Sequence, residues 1–364
     1  MRIKDVIQYL EKVCPPAYQE SYDNCGLIVG NADAEITGAL LCLDSTEDVV
    51  KEALKKKCNL IIAHHPILFS SIKKLTGKTY AERVLIDAIK HNVCIYAMHT
   101  NLDNIYQGVN NKIAEKLGLE KISILAPKKG LLKKVVTFCP RNDADKVRNA
   151  IFTAGAGVIG NYDECSFNSA GIGTFRGNEA ANPYVGERGK RHFENEERIE
   201  SIYPADREKA VIDALIDSHP YEEVAYDVYS LDNIHPRIGS GMIGTLPKPM
   251  KEKDFLTLLK KNMKAACVRH SPLLGKKINR VAVCGGSGSF LLPDAVRKGA
   301  DILVTADFKY HQFFDADNKI VIADIGHYES EQFTPEIIYG LLKQKFNIFA
   351  LQFSKTNTNP VNYF

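Results

Sequence analysis

Three segments in the first third of the chain are apolar almost end to end and only as long as a β-strand: ITGALLCLD (36–44), NLIIAHHP (59–66) and NVCIYAMH (92–99). A strand with one face in water alternates apolar and polar residues. A run without that alternation is covered on both faces. Between these runs the pattern changes to that of amphipathic helices, over residues 3–12, 49–57, 80–90 and 108–117, the last stopped by Gly118. Doubly covered strands separated by helices predict a largely parallel sheet. The last third repeats this style. INRVAVCGGSGS (278–289) reads as a strand and a glycine-rich turn, DILVTAD (301–307) and NKIVIADIG (318–326) as strands. Helices are expected at 293–300 and over 326–344, with a final strand at 346–353.

The middle of the chain is built differently. A strand–Pro–helix phrase occurs twice, as VVTFCP followed by DKVRNAIFTAG and as IESIYP followed by REKAVIDALIDS. Two such copies fit a ferredoxin-like βαβ–βαβ module. The stretch 160–197 lacks apolar periodicity and predicts hairpins and a solvent-facing loop. The expected fold is therefore α/β: a three-layer α/β/α core made by residues 1–128 and 246–364, with an inserted ferredoxin-like α+β domain at 129–245.

Composition narrows the function classes. A net charge of +3 over 364 residues gives no basic stripe for nucleic acid, and Lys55-Lys56-Lys57 reads as a solvated helix face. No run approaches the roughly 20 apolar residues that span a bilayer. Nine cysteines without a C-x-x-C pair, several inside apolar runs, suggest reduced thiols in the cytoplasm.

The residues able to do chemistry sit at strand ends. His64-His65-Pro66 follows LIIA directly, and His99 and Asp103 follow the next apolar run. Adjacent side chains on a regular strand diverge, so His64 and His65 converge only if the backbone turns there, in the crevice where open α/β sheets bind ligands. His327 and Glu331 lie four apart at an expected helix start and so face one way. Nitrogen and carboxylate donors in this number exceed one ion's needs and suit two divalent ions sharing a pocket, with Glu331 as the bridge. His99 is open to three roles: ligating, carrying a proton, or orienting a ligand. Asp103 is open to ligation or helix capping. Asp23, Asp44 and Asp307 are further acids near strand ends or turns; Asp44 and Asp307 are able to position a water or a ligand amide, or to cap a helix. CGGSGS matches neither common nucleotide-binding glycine pattern, and close packing of strands is its expected use.

Together the phrases YDNCGLIVG (22–30), IIAHHPILF (61–69), AMHTNLDNIYQGVN (97–110), CGGSGS (284–289), ADILVTADFKYH (300–311) and GHYESE (326–331) resemble the Nif-three-like dinuclear metal-binding family, often labelled GTP cyclohydrolase I type 2 homologues. The resemblance covers nearly the whole chain. It implies two divalent ions (Zn, Mn or Fe) held by His64, His65, Asp103, His327 and Glu331, with His99 beside them as the acid–base group. It also implies an insertion similar to the PII/CutA signalling fold and a ring-shaped homohexamer. The activity in the label is opening of the imidazole ring of GTP with release of formate. The rival implication is a metal-binding regulator or metallochaperone whose insertion senses a small molecule. Two departures stand out: Tyr22 where the family usually has Trp, and Thr305-Ala306-Asp307 where it often has Thr-Gly-Asp.

Overall fold

A computed structural model describes residues 1–364. It divides into two compact units, one made of Met1–Pro127 and Arg237–Phe364 and the other of Lys128–Pro236.

The first unit is built on two sheets. In one, the strands run in the order Gly26–Val29, Cys94–Ala97, Leu60–Ala63, Gly38–Cys42, Ala350–Phe353. All are parallel except Gly26–Val29, which pairs antiparallel with Cys94–Ala97 at the edge. The chain's last strand thus returns to the sheet that its first third builds. Leu60, Ile61 and Ile62 are fully buried, which is why this run carries no polar residue; each such side chain stabilises the fold by about 1.5–3 kcal/mol. One face packs Leu40, Ile61 and Ile95 against Val49 and Val84 from helices Glu47–Lys55 and Tyr80–Lys90. Thr46 and Thr79 cap these two helices through their hydroxyls, supplying acceptors that the first turns lack.

The second sheet runs Arg269–His270, Val321–Asp324, Ile302–Ala306, Lys277–Ser287, Gly239–Lys251, Glu120–Pro127. Its three middle strands, beginning at Lys277, Ile302 and Val321, are parallel; the remaining pairings are antiparallel. The sheet is therefore mixed rather than largely parallel. Gly239–Lys251 is a core strand, so the contact boundary of the insertion falls at Pro236 rather than 245. Its glycines and prolines hide it from pattern reading. The helix expected over 326–344 is two helices, His327–Glu331 and Thr334–Lys345, the second beginning with Pro335 in its first turn. Proline lacks the N–H that a continuous helix would need there.

The second unit is a four-stranded antiparallel sheet in the order Phe167–Phe175, His192–Pro204, Leu132–Pro140, Tyr226–Leu231. With helices Ala144–Thr153 and Glu208–Ser218 between strands, this is the ferredoxin-like βαββαβ arrangement. The repeated phrase is a repeated structure: Pro140 and Pro204 each end a strand, and each is followed by a short 3-10 turn and a helix.

Candidate metal centre

The candidate donors lie where parallel strands end. His64 and His65 follow Leu60–Ala63, His99 follows Cys94–Ala97, and His327 follows Val321–Asp324. At the first of these the ladder stops. The amides of His64 and His65 both donate to the Leu43 carbonyl, at 3.1 and 2.9 Å. The alternation that would send neighbouring side chains apart is broken, and the two rings sit 4.9 Å centre to centre. His327 opens a short helix after Gly326, whose φ of +94° favours glycine, and Glu331 falls one turn later on the same side.

The four imidazoles are all anchored through Nδ1. His64 is held by the Met98 carbonyl at 2.7 Å, His65 by Asp44 at 2.7 Å, His99 by Asp23 at 2.7 Å and His327 by Asp307 at 2.6 Å. Their Nε2 atoms are left for the interior. The Nε2 atoms of His65 and His327 stand 3.2 Å apart, and each lies near Glu331 Oε2, at 2.9 and 3.1 Å. His64 Nε2 lies 3.6 Å from Asp103 Oδ1 and 3.7 Å from Glu331 Oε2. The donor atoms form three overlapping groups: His64, His65 and His99; His65, His327 and Glu331; His64, Asp103 and Glu331.

This geometry tests whether a cation fits. A carbonyl only accepts, so the proton of His64 is on Nδ1 and its Nε2 presents a lone pair. That lone pair faces two carboxylate oxygens beyond hydrogen-bonding distance, and His64 Nε2 and Asp103 Oδ1 are buried without a partner. Glu331 Oε2 is reached by His65 and His327, but neither His64 Nε2 nor Asp103 Oδ1 has a donor within reach. Burial of such groups is costly unless a cation or proton fills the gap. The residues fit a metal cation, and Glu331 belongs to two of the three donor groups.

Titration behaviour follows from the same crowding. Burial lowers the His64 pKa and keeps the ring neutral. Burial also opposes charge on His65, but hydrogen bonds to Asp44 and Glu331 outweigh it and raise the ring to about 9. His327 is raised to about 11, because Glu331 and Asp307 outweigh burial. Asp103 is pushed well above the carboxylate range by burial and by Glu331. Glu331 is held well below that range, because His327 and His64 outweigh its burial.

The glycine-rich turn has a use that sequence reading did not anticipate. At Gly286, φ is +59°, and a Cβ there would lie 2.4 Å from Glu331 Oε1. The turn is bare so that the carboxylate can lie against it. Around the donors opens a cavity of about 1030 Å3, lined by the exposed rings of Tyr22, Phe69, Tyr80, Phe290 and Tyr363.

The profile of the Duf34/NIF3 (NGG1p interacting factor 3) family matches residues 1–360. The chain belongs to this family. It is 39% identical to a Bacillus subtilis (strain 168) protein named GTP cyclohydrolase 1 type 2 homolog, over 99% of this chain and 98% of that one. A Halalkalibacterium halodurans relative of the same name is 40% identical over 98% of each chain. The crystal structure of a Bacillus cereus protein related to NIF3 superposes with a TM-score of 0.86 at 36% identity, covering 100% of this chain and 99% of that one.

In this Duf34/NIF3 chain the structure gathers all six residues singled out from the sequence: His64, His65, His99, Asp103, His327 and Glu331. The two sequence departures displace none of them: Ala306 is fully buried in its strand, and Tyr22 lies on the cavity wall. What sequence reading missed is the job of Asp23, Asp44 and Asp307, which each fix one histidine. A signal was present. Asp44 and Asp307 each follow a parallel strand, and the histidine each one holds follows the neighbouring strand of the same sheet. No helix of the protein is long and apolar enough to cross a membrane, and all nine cysteines are free thiols.

Proposed function

We propose that this protein is a dinuclear metal-dependent hydrolase acting on a nucleotide-like heterocycle, in the manner of imidazole-ring opening of GTP with release of formate. The observation that carries the reading is that His64 Nε2 and Asp103 Oδ1 lie buried and unpartnered beside Glu331 Oε2, inside a cavity walled by aromatic rings. His64 and Asp103 would hold one ion, His65 and His327 the other, and Glu331 would bridge them. Divalent ions such as Zn, Mn or Fe in a nitrogen and oxygen donor set supply Lewis acidity and an activated water.

The chain's own residues do the rest. Asp23 accepts from His99 Nδ1 and thereby leaves Nε2 to receive a proton from the attacking water and return it to the leaving nitrogen. Asp44 and Asp307 orient the His65 and His327 rings and strengthen them as donors. The rings of Tyr22, Phe69 and Phe290 give flat faces on which a heterocycle can stack. Apart from histidine, Arg269 is the one cationic side chain on the wall, and it is engaged by Asp324 and by the Phe308 carbonyl at 3.1 Å. Recognition of the base therefore outweighs recognition of a triphosphate in this reading.

Self-association into a ring-shaped hexamer in the cytoplasm belongs to the same proposal and is tested by the mass of the protein in solution. The activity is tested with Mn²⁺- or Zn²⁺-loaded protein and a panel of purine nucleotides, following formate. Release from GTP that disappears in His99→Gln is expected. Silence across the panel would instead favour a metal-binding regulator, a reading that gains support from a second cavity in the inserted unit.

A further inference from the structure

The inserted unit has a cavity of its own, about 760 Å3, bounded by strands Phe167–Phe175 and His192–Pro204 and by residues 221–225. Glu196 lies on its wall and is only 8% exposed. The Tyr221 hydroxyl donates to Glu196 Oε1 at 2.8 Å, while Oε2 accepts from no donor of the protein. The neighbouring strand makes room for that free oxygen: a Cβ at Gly173 would lie 2.1 Å from it. Four aromatic residues line the cavity, Phe138, Phe175, Tyr184 and Tyr221, with Tyr221 centred 5.8 Å from Phe175 and 6.3 Å from Tyr184. Neither lining guanidinium neutralises Glu196. Arg198 is held by Glu200 at 2.9 Å, and Arg176 forms no ion pair.

A largely buried carboxylate with one oxygen open to the cavity suits a cationic donor, and the π faces of nearby rings attract the same kind of group. We propose that this cavity binds a small organic amine, whose ammonium donates to Glu196 Oε2 among Phe175, Tyr184 and Tyr221. The site lies wholly within Lys128–Pro236 and rests on none of the residues assigned to the metal centre.

The test is calorimetric titration of the full-length protein with 1,4-diaminobutane, tetramethylammonium and guanosine. Diaminobutane is expected to bind once per chain, and tetramethylammonium, which has no N–H, at least tenfold more weakly. Glu196→Gln keeps the size of the side chain and the Tyr221 hydrogen bond, and should weaken diaminobutane at least tenfold. Gly171→Leu serves as a second block, because a Cβ at Gly171 meets nothing within 4 Å and the added side chain enters the cavity. It should abolish binding with an unchanged melting temperature. Diaminobutane binding that is absent, or present and indifferent to both substitutions, would overturn the proposal. So would equal affinity for tetramethylammonium, or guanosine binding lost in Glu196→Gln, which would assign the cavity to a nucleobase.

Discussion

Loading the centre with metal should expel protons, and the extent follows from the histidine environments. His65 at about 9 and His327 at about 11 are both protonated at neutral pH in the metal-free protein. A ligating imidazole must give up that proton, so each one displaced makes apparent affinity rise about tenfold per pH unit while pH stays below its pKa. Raising pH from about 6.5 to about 8 therefore gains about 2 kcal/mol, or about 30-fold, for each proton released. Two protons give about a thousandfold. Asp103, also raised, adds to the count in the same direction. The sign is fixed: binding tightens as pH rises. The assay is titration of metal-free protein with Mn²⁺ in two buffers of different ionisation enthalpy, which counts protons directly, repeated across that pH range. Pure His64 ligation would release none, since burial already keeps that ring neutral. A proton count of zero with pH-independent affinity would refute the reasoning about His65 and His327.

Three further outcomes follow. Gly286→Ala should strip metal without replacing any donor, since its Cβ would lie 2.4 Å from Glu331 Oε1 at a φ of +59° and displace that carboxylate; elemental analysis matching the wild type would contradict that role for the turn. His99→Gln should lower kcat by about 10²- to 10⁴-fold, the usual worth of a general acid–base group, and leave metal content intact; loss of an ion instead would make His99 a ligand. Ile61→Ala, in the middle strand of the first sheet and fully buried, should cost about 2–5 kcal/mol, seen as a lower melting temperature.

How much of this could be read beforehand depended on burial. The runs around Leu60–Ala63 and Cys94–Ala97 announced themselves because both faces of those strands are covered, leaving no room for polar residues. Gly26–Val29 and Glu120–Pro127 stayed hidden, being edge strands with exposed positions that break the apolar pattern. The donors were legible because histidine pairs at strand ends have few cheap uses in a core. Their anchors were not. An Asp at a strand end reads equally as a cap, and only the parallel pairing of Gly38–Cys42 with Leu60–Ala63, and of Ile302–Ala306 with Val321–Asp324, shows which histidine each one meets. Asp307 adopts φ +58°, a backbone choice that no local pattern announces.

The central claim is that one glutamate stands between two cations gathered from both ends of the chain. Diffraction from metal-loaded crystals, recorded on either side of the metal's absorption edge, tests it most directly. Two anomalous peaks flanking Glu331, one beside His64 and Asp103 and one beside His65 and His327, are the expected result. A single peak, or none inside the cavity, would contradict the account.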